Sequence, residues 1–120
     1  MMNIEALNQA GIDYHRGVTR FMEDAVLYES MLTAYLDEDT YARMESAFAA
    51  GDYRQAFACV HELKGLSSNL DMVDLNAACR TLTELLREND SPDLQAAGEG
   101  LSAVRAADQR VRDGIRQASR

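Results

Sequence analysis

Apolar positions recur along most of the chain at helical spacing and nowhere alternate as a strand would require. From Ala56 the sequence reads Ala56, Val60, Leu63, Ser67, Leu70, with steps of four, three, four and three. That is the seam of a helix packed in a bundle, and it predicts a helix from about Tyr53 to Leu70. Leu75, Cys79, Leu82 and Leu86 repeat the spacing and predict a helix from about Val73 to Glu88. Leu94, Ala97, Leu101, Val104, Val111, Ile115 and Ala118 predict a last long helix, with Asp108 as the one polar residue in register. Upstream, Tyr28, Leu32 and Tyr35 form one stripe and Tyr41, Met44 and Phe48 another, out of phase with it. A helical stretch from about Asp24 to Ala50 therefore bends or breaks at the polar run Asp37-Glu38-Asp39-Thr40.

Punctuation residues supply the ends. Asn3 caps a first short turn ending near Gly11, and Asp13 caps a short helix through Met22. Gly51 ends the long stretch and Asp52 caps the next helix. Asn89-Asp90-Ser91 is a turn, with Ser91 as cap and Pro92 at the first helical position. Four longer amphipathic helices with short connections run antiparallel to their neighbours. The expected fold is all-α: an up-and-down antiparallel four-helix bundle with a short N-terminal helical extension, one domain over 1–120. Ala, Leu, Glu and Arg dominate, which suits helices, and strand-favouring residues are sparse.

Charge narrows the partners. The formal net charge is −8, which repels nucleic acid and anionic membrane surfaces. Residues 1–100 carry −11 and residues 101–120 carry +3. The basic end reads as the solvated face of the last helix, its cations favoured near the C-terminus. Cys59 and Cys79 lack the spacing of a disulfide framework or zinc site and read as buried thiols in a reducing cytoplasm. The first residues are too polar for a signal peptide, and no apolar run reaches membrane-spanning length. The expected protein is a cytoplasmic monomer that binds neither nucleic acid nor membrane.

The chemistry lies in His61-Glu62-Leu63-Lys64-Gly65-Leu66-Ser67-Ser68-Asn69-Leu70. His61, Lys64, Gly65 and Ser68 stand at i, i+3, i+4 and i+7 and share one face. That face is offset from the seam, so His61 points at least partly to solvent. An imidazole is partly neutral near pH 7 and has a nucleophilic nitrogen. A phosphoryl group on it would bring nearly two negative charges, which the Lys64 ammonium one turn away can offset. Gly65 removes a side chain beside the acceptor, at about 1 kcal/mol relative to alanine in an exposed helix. Ser68 extends the same face as a partner-docking position. His15 has no such company and reads as a surface residue; Asn69 is placed to end the helix.

This stretch resembles the motif of histidine-containing phosphotransfer (HPt) domains: a His, then Leu-Lys-Gly, small residues, Asn and an apolar residue. Gly11-Ile12-Asp13, Arg20-Phe21-Met22-Glu23-Asp24, Leu27-Tyr28 and Met31-Leu32 are similar to the family's N-terminal region. Ala49-Ala50-Gly51-Asp52-Tyr53 and Leu75-Asn76-Ala77-Ala78-Cys79-Arg80-Thr81-Leu82 are similar to the segments flanking the histidine helix, so the likeness covers about residues 11–90. It implies that His61 is phosphorylated on its outer ring nitrogen, that Lys64 stabilises the phosphoryl group, and that Gly65 leaves room for a receiver domain. The receiver of a response regulator, or a hybrid histidine kinase, would be the partner; the receiver would supply the aspartate and Mg²⁺. The domain itself would be a carrier rather than an enzyme, with no cofactor of its own, and no glycine-rich phosphate loop is present. The departure is Asp71, where the family usually has glycine; an aspartate still tolerates a left-handed conformation or caps the next helix.

Two other function classes suit an all-helical chain. A carboxylate-bridged di-iron bundle needs Glu-x-x-His on two helices, but Ala58 and Ile12 stand three residues before the two histidines. An HPt-like scaffold or inhibitor that binds a kinase or receiver without carrying phosphate is the alternative reading. The presence of both His61 and Lys64 argues against it.

Overall fold

The structure, a computed structural model, describes residues 1–87 and 91–120. It is all-helical among those residues, with α1 Ile4–Gln9, α2 Tyr14–Arg20, α3 Ala25–Tyr35, α4 Thr40–Ala49, α5 Tyr53–Asn69, α6 Val73–Leu86 and α7 Leu94–Ala118. The principal packing partners are consecutive: α4 on α5, α5 on α6 and α6 on α7. α7 also contacts α4 and α3 and carries α1 against its far end. The core runs between these faces, through Leu32, Met44, Val60, Leu63, Leu75, Leu82, Val104, Val111 and Ile115, all fully buried.

Local chemistry sets most boundaries. The side chains of Asn3, Asp13, Asp24 and Asp52 each accept a hydrogen bond from the backbone N–H three residues on, satisfying a donor that a helix start leaves open. At the end of α4, Gly51 adopts φ +75°. Its N–H donates to Phe48 O and that of Asp52 to Ala47 O. This is the paired arrangement by which a left-handed residue closes a helix.

The stretch from Asp24 to Ala50 is two helices, α3 and α4, so of the bend or break expected at Asp37-Glu38-Asp39-Thr40 the structure shows the break; two other boundaries differ from the sequence expectation. Arg112 of α7 explains the break: its guanidinium donates to Leu36 O at 3.0 Å and Glu38 O at 2.8 Å, holding carbonyls that a continuous helix would use internally. The short helix capped by Asp13 stops at Arg20, two residues before Met22. The cap of α7 is Asp93, not Ser91, and Pro92 lies before the helix. Asp93 accepts from both Gln95 N and Ala96 N. A carboxylate there also meets the positive end of the helix dipole, which Ser91 cannot match. Glu88, Asn89 and Asp90, expected to end α6 and form the turn, lie outside the described residues.

The arginine-rich end is not merely a solvated face. Arg105 pairs with Glu45, Arg110 with Asp74, Arg112 with Asp108 and Arg116 with Asp113. Asp108, the polar residue in the α7 seam, is buried and accepts from Tyr35 Oη at 2.6 Å and Arg112 Nε at 2.9 Å. Both cysteines are buried free thiols. No helix is long and apolar enough to cross a membrane among the described residues.

Candidate functional site

α5 carries the motif. Ala56, Val60, Leu63, Ser67 and Leu70 are buried, which turns the remaining face outward. His61 and Gly65 are exposed, Lys64 is half-buried and Ser68 is exposed. The four residues therefore stand together on the outer side of α5, as their spacing predicts. His15 is exposed on α2, apart from them in sequence and element.

The His61 ring packs against Phe57, one turn earlier, with ring centroids 5.9 Å apart. Among the described residues neither ring nitrogen has a hydrogen-bond partner, and Phe57 is in turn covered by the Arg87 guanidinium, 5.7 Å from its centroid. An aromatic contact of this kind restrains the imidazole without occupying its nitrogens. Lys64 has no carboxylate within ion-pair distance among the described residues. It lies near enough to Glu84 to add to the effect of Arg87, whose hydrogen bond is the main reason that the Glu84 carboxyl is held below its ordinary range. A Cβ placed on Gly65 would meet no atom within 4 Å. Its lack of a side chain thus serves no packing against a neighbouring helix.

α6 fixes the other wall. Asn76 Nδ2 donates to Lys64 O at 2.9 Å and to Ser67 Oγ at 3.3 Å. Arg87 reaching Phe57 at the other end shows that α6 runs antiparallel to α5. Lys64, Gly65, Ser68, Asn76 and Arg80 line an open notch of about 340 Å³ between the two helices.

The end of α5 is held by residues that local pattern reading did not join. Asp71 has φ +53°; its N–H donates to Ser68 O and the Met72 N–H to Ser67 O. It performs in the left-handed conformation the closure that Gly51 performs for α4. Its carboxylate is buried and forked by Arg16 Nε at 3.0 Å and Arg20 Nε at 2.9 Å from α2. The Asp13 N–H donates to Asp71 O at 2.9 Å, and Tyr28 Oη donates to Leu70 O at 2.7 Å. α2 and α3 are thereby fastened to the end of the histidine helix. Only the departure from glycine marked this position in the sequence, because its partners stand more than fifty residues away. Phe57, four residues before His61, was readable from spacing alone; Arg80 had no such mark. Also unforeseen is the exposed apolar group Met22, Val26, Leu27 and Met31 along α3 and the turn before it.

Among the described residues no cluster of His, Cys, Asp or Glu could hold a metal ion. No curated protein and no solved structure matches the chain. Residues 30–118 match the family model of the Hpt domain. The match leaves out the N-terminal segment that resembles the family, and it extends through α7, where the resemblance had stopped near residue 90. Covering α4 to α7, the histidine helix among them, it establishes that the chain belongs to the Hpt domain family.

Proposed function

We propose that His61 is the phosphoryl-carrying residue of this domain, exchanging the group with the aspartate of a response-regulator receiver. Hpt domains are phosphocarriers of phosphorelays and interact with receiver and kinase domains. The observation that carries the reading is the exposed imidazole whose nitrogens have no partner among the described residues, with Lys64 one turn on and open space over Gly65. In the forward step the outer nitrogen of His61 attacks the phosphorus of the receiver's aspartyl phosphate. The P–N bond forms, the P–O bond to the acyl oxygen breaks, and the aspartate leaves as carboxylate. Lys64 offsets the charge that the phosphoryl group brings to α5. Mg²⁺ belongs to the receiver. Phe57 restrains the ring, and Gly65 and Ser68 form the floor against which the receiver sits.

In this reading α4 to α7 form the antiparallel four-helix bundle and α1 to α3 its N-terminal extension, one cytoplasmic monomeric unit over 1–120. The test is transfer from radiolabelled phospho-receivers to wild type and to His61→Gln. We expect label on the wild type, acid-labile as phosphohistidine is, and none on His61→Gln. Label retained by His61→Gln would overturn the assignment. Receiver binding without any transfer would favour the scaffold alternative.

A further inference from the structure

We propose that Arg80 is a docking residue: with Lys64 it forms a cationic notch that seats a carboxylate of the partner receiver beside His61. The inference rests on the reading of His61 as phosphoryl carrier and adds a residue of α6 to it.

Position comes first. Along α6, Asn76 lies beside Lys64 and Ser67, and Arg87 lies beside Phe57. Arg80 falls between them, and in an antiparallel pair that places it level with the stretch around His61 to Lys64. It lines the same notch as Lys64, over the bare floor of Gly65 and beside the Ser68 hydroxyl.

Charge comes second. Arg16, Arg20, Arg43, Arg87, Arg105, Arg110, Arg112 and Arg116 each hold a carboxylate. Arg80 and Lys64 hold none among the described residues. In a chain of net charge −8, these two cations stand on opposite walls of one notch with no carboxylate in ion-pair contact among the described residues, Glu84 acting on Lys64 only from further off, so the notch is open to an anionic group of a partner. The notch is lined by Lys64, Gly65, Ser68, Asn76 and Arg80 and not by His61, so it offers a place for a group of the partner beside the phosphoryl whose charge Lys64 also offsets. A receiver that presents its acceptor aspartate to His61 brings a carboxylate-bearing surface to this place. Arg80, with its planar fork of donors, suits a carboxylate held in one orientation.

The experiment measures transfer from phospho-receiver at rising receiver concentration, and binding of the unphosphorylated receiver, for wild type, Arg80→Ala, Arg80→Lys and Arg80→Glu. Thermal melts accompany each; Arg80 is exposed and has no ion pair among the described residues, so all three should fold as the wild type does. Arg80→Ala should raise both the half-saturating concentration and the Kd about tenfold, with the saturated transfer rate unchanged. Arg80→Glu should raise them further, and Arg80→Lys should stay within about threefold because the charge is kept. The gap between wild type and Arg80→Ala should narrow at high salt. Unchanged half-saturation and Kd in Arg80→Ala, or a loss confined to the saturated rate, overturns this inference while leaving His61 as carrier. A wild type that neither accepts phosphoryl nor binds any receiver overturns the proposed function and this inference with it.

Discussion

Asp71 and Arg20 meet through two hydrogen bonds, Nε to Oδ2 at 2.9 Å and Nη2 to Oδ1 at 3.2 Å, at the residue where the histidine helix ends in a left-handed turn. Two opposing terms therefore sit on one side chain. A non-glycine residue in that conformation costs about 1–2 kcal/mol, less for aspartate than for most. The charge-assisted bonds to Arg16 and Arg20 offset it. Asp71→Gly should relieve the backbone while losing the bonds, and change stability by no more than about 1–2 kcal/mol. Asp71→Ala loses the bonds and keeps the backbone cost, so it should be less stable than Asp71→Gly by about 1 kcal/mol or more. Urea unfolding of the two variants checks the order. If alanine proves as stable as glycine, the left-handed turn carries no backbone cost for the arginine bonds to offset.

Asp108 should be the more costly site. Its carboxylate joins Tyr35 and Arg112 in the interior, and Arg112 in turn holds the carbonyls between α3 and α4. Asp108→Ala strands a half-buried guanidinium and a buried tyrosine hydroxyl, and removing one partner of a buried pair typically costs about 3–5 kcal/mol. Tyr35→Phe leaves one carboxylate oxygen short of a donor but keeps Arg112, and should cost about 1–2 kcal/mol. Denaturant midpoints at constant m-value test both figures.

What was legible in the sequence was local. The seam from Ala56 to Leu70, the caps at Asn3, Asp13 and Asp52, and the shared face of His61, Lys64, Gly65 and Ser68 each depend on spacings within one continuous helical stretch. The same locality explains the errors. Ser91-Pro92 satisfies the rule for a helix start, yet Asp93 two residues on accepts two backbone donors and takes the cap. The off-phase stripes around Asp37 announced an interruption but not its kind, because Arg112, which holds the break open, stands more than seventy residues later. The clamp on Asp71 and the place of Arg80 beside Lys64 likewise exist only once α2, α5 and α6 are assembled.

Cys79 gives a pH signature. Burial, aided by the Asp108 charge, pushes its thiol up to about 12, whereas an unfolded cysteine titrates near 8.5. A raised folded value favours the protonated form, so the contribution to stability is full below about pH 8.5 and is lost as pH rises toward 12. The stability difference between wild type and Cys79→Ala should therefore shrink as pH is raised above about 9. In a Cys59→Ala background, a thiol reagent at pH 8 should label Cys79 only after unfolding. Fast labelling of the folded protein would contradict the burial.

Gly65 separates helix stability from phosphotransfer. Because an added Cβ meets nothing within 4 Å, substitution there cannot overpack a neighbouring helix, and the only folded-state consequence is better helix propensity. Gly65→Ala should stabilise by about 0.5–1 kcal/mol. Gly65→Gln should stabilise by a similar amount, since glutamine is a good helix former. The glutamine side chain nevertheless leans back one turn toward His61 and covers the floor of the notch. Transfer from a phospho-receiver should then fall by at least tenfold in Gly65→Gln and much less in Gly65→Ala, while both melt at or above the wild-type temperature. Stability and transfer thus move in opposite directions at one position, a combination that general damage to the fold cannot produce. A Gly65→Gln protein that folds well and transfers at the wild-type rate would show that the open space over this residue is not where the partner approaches.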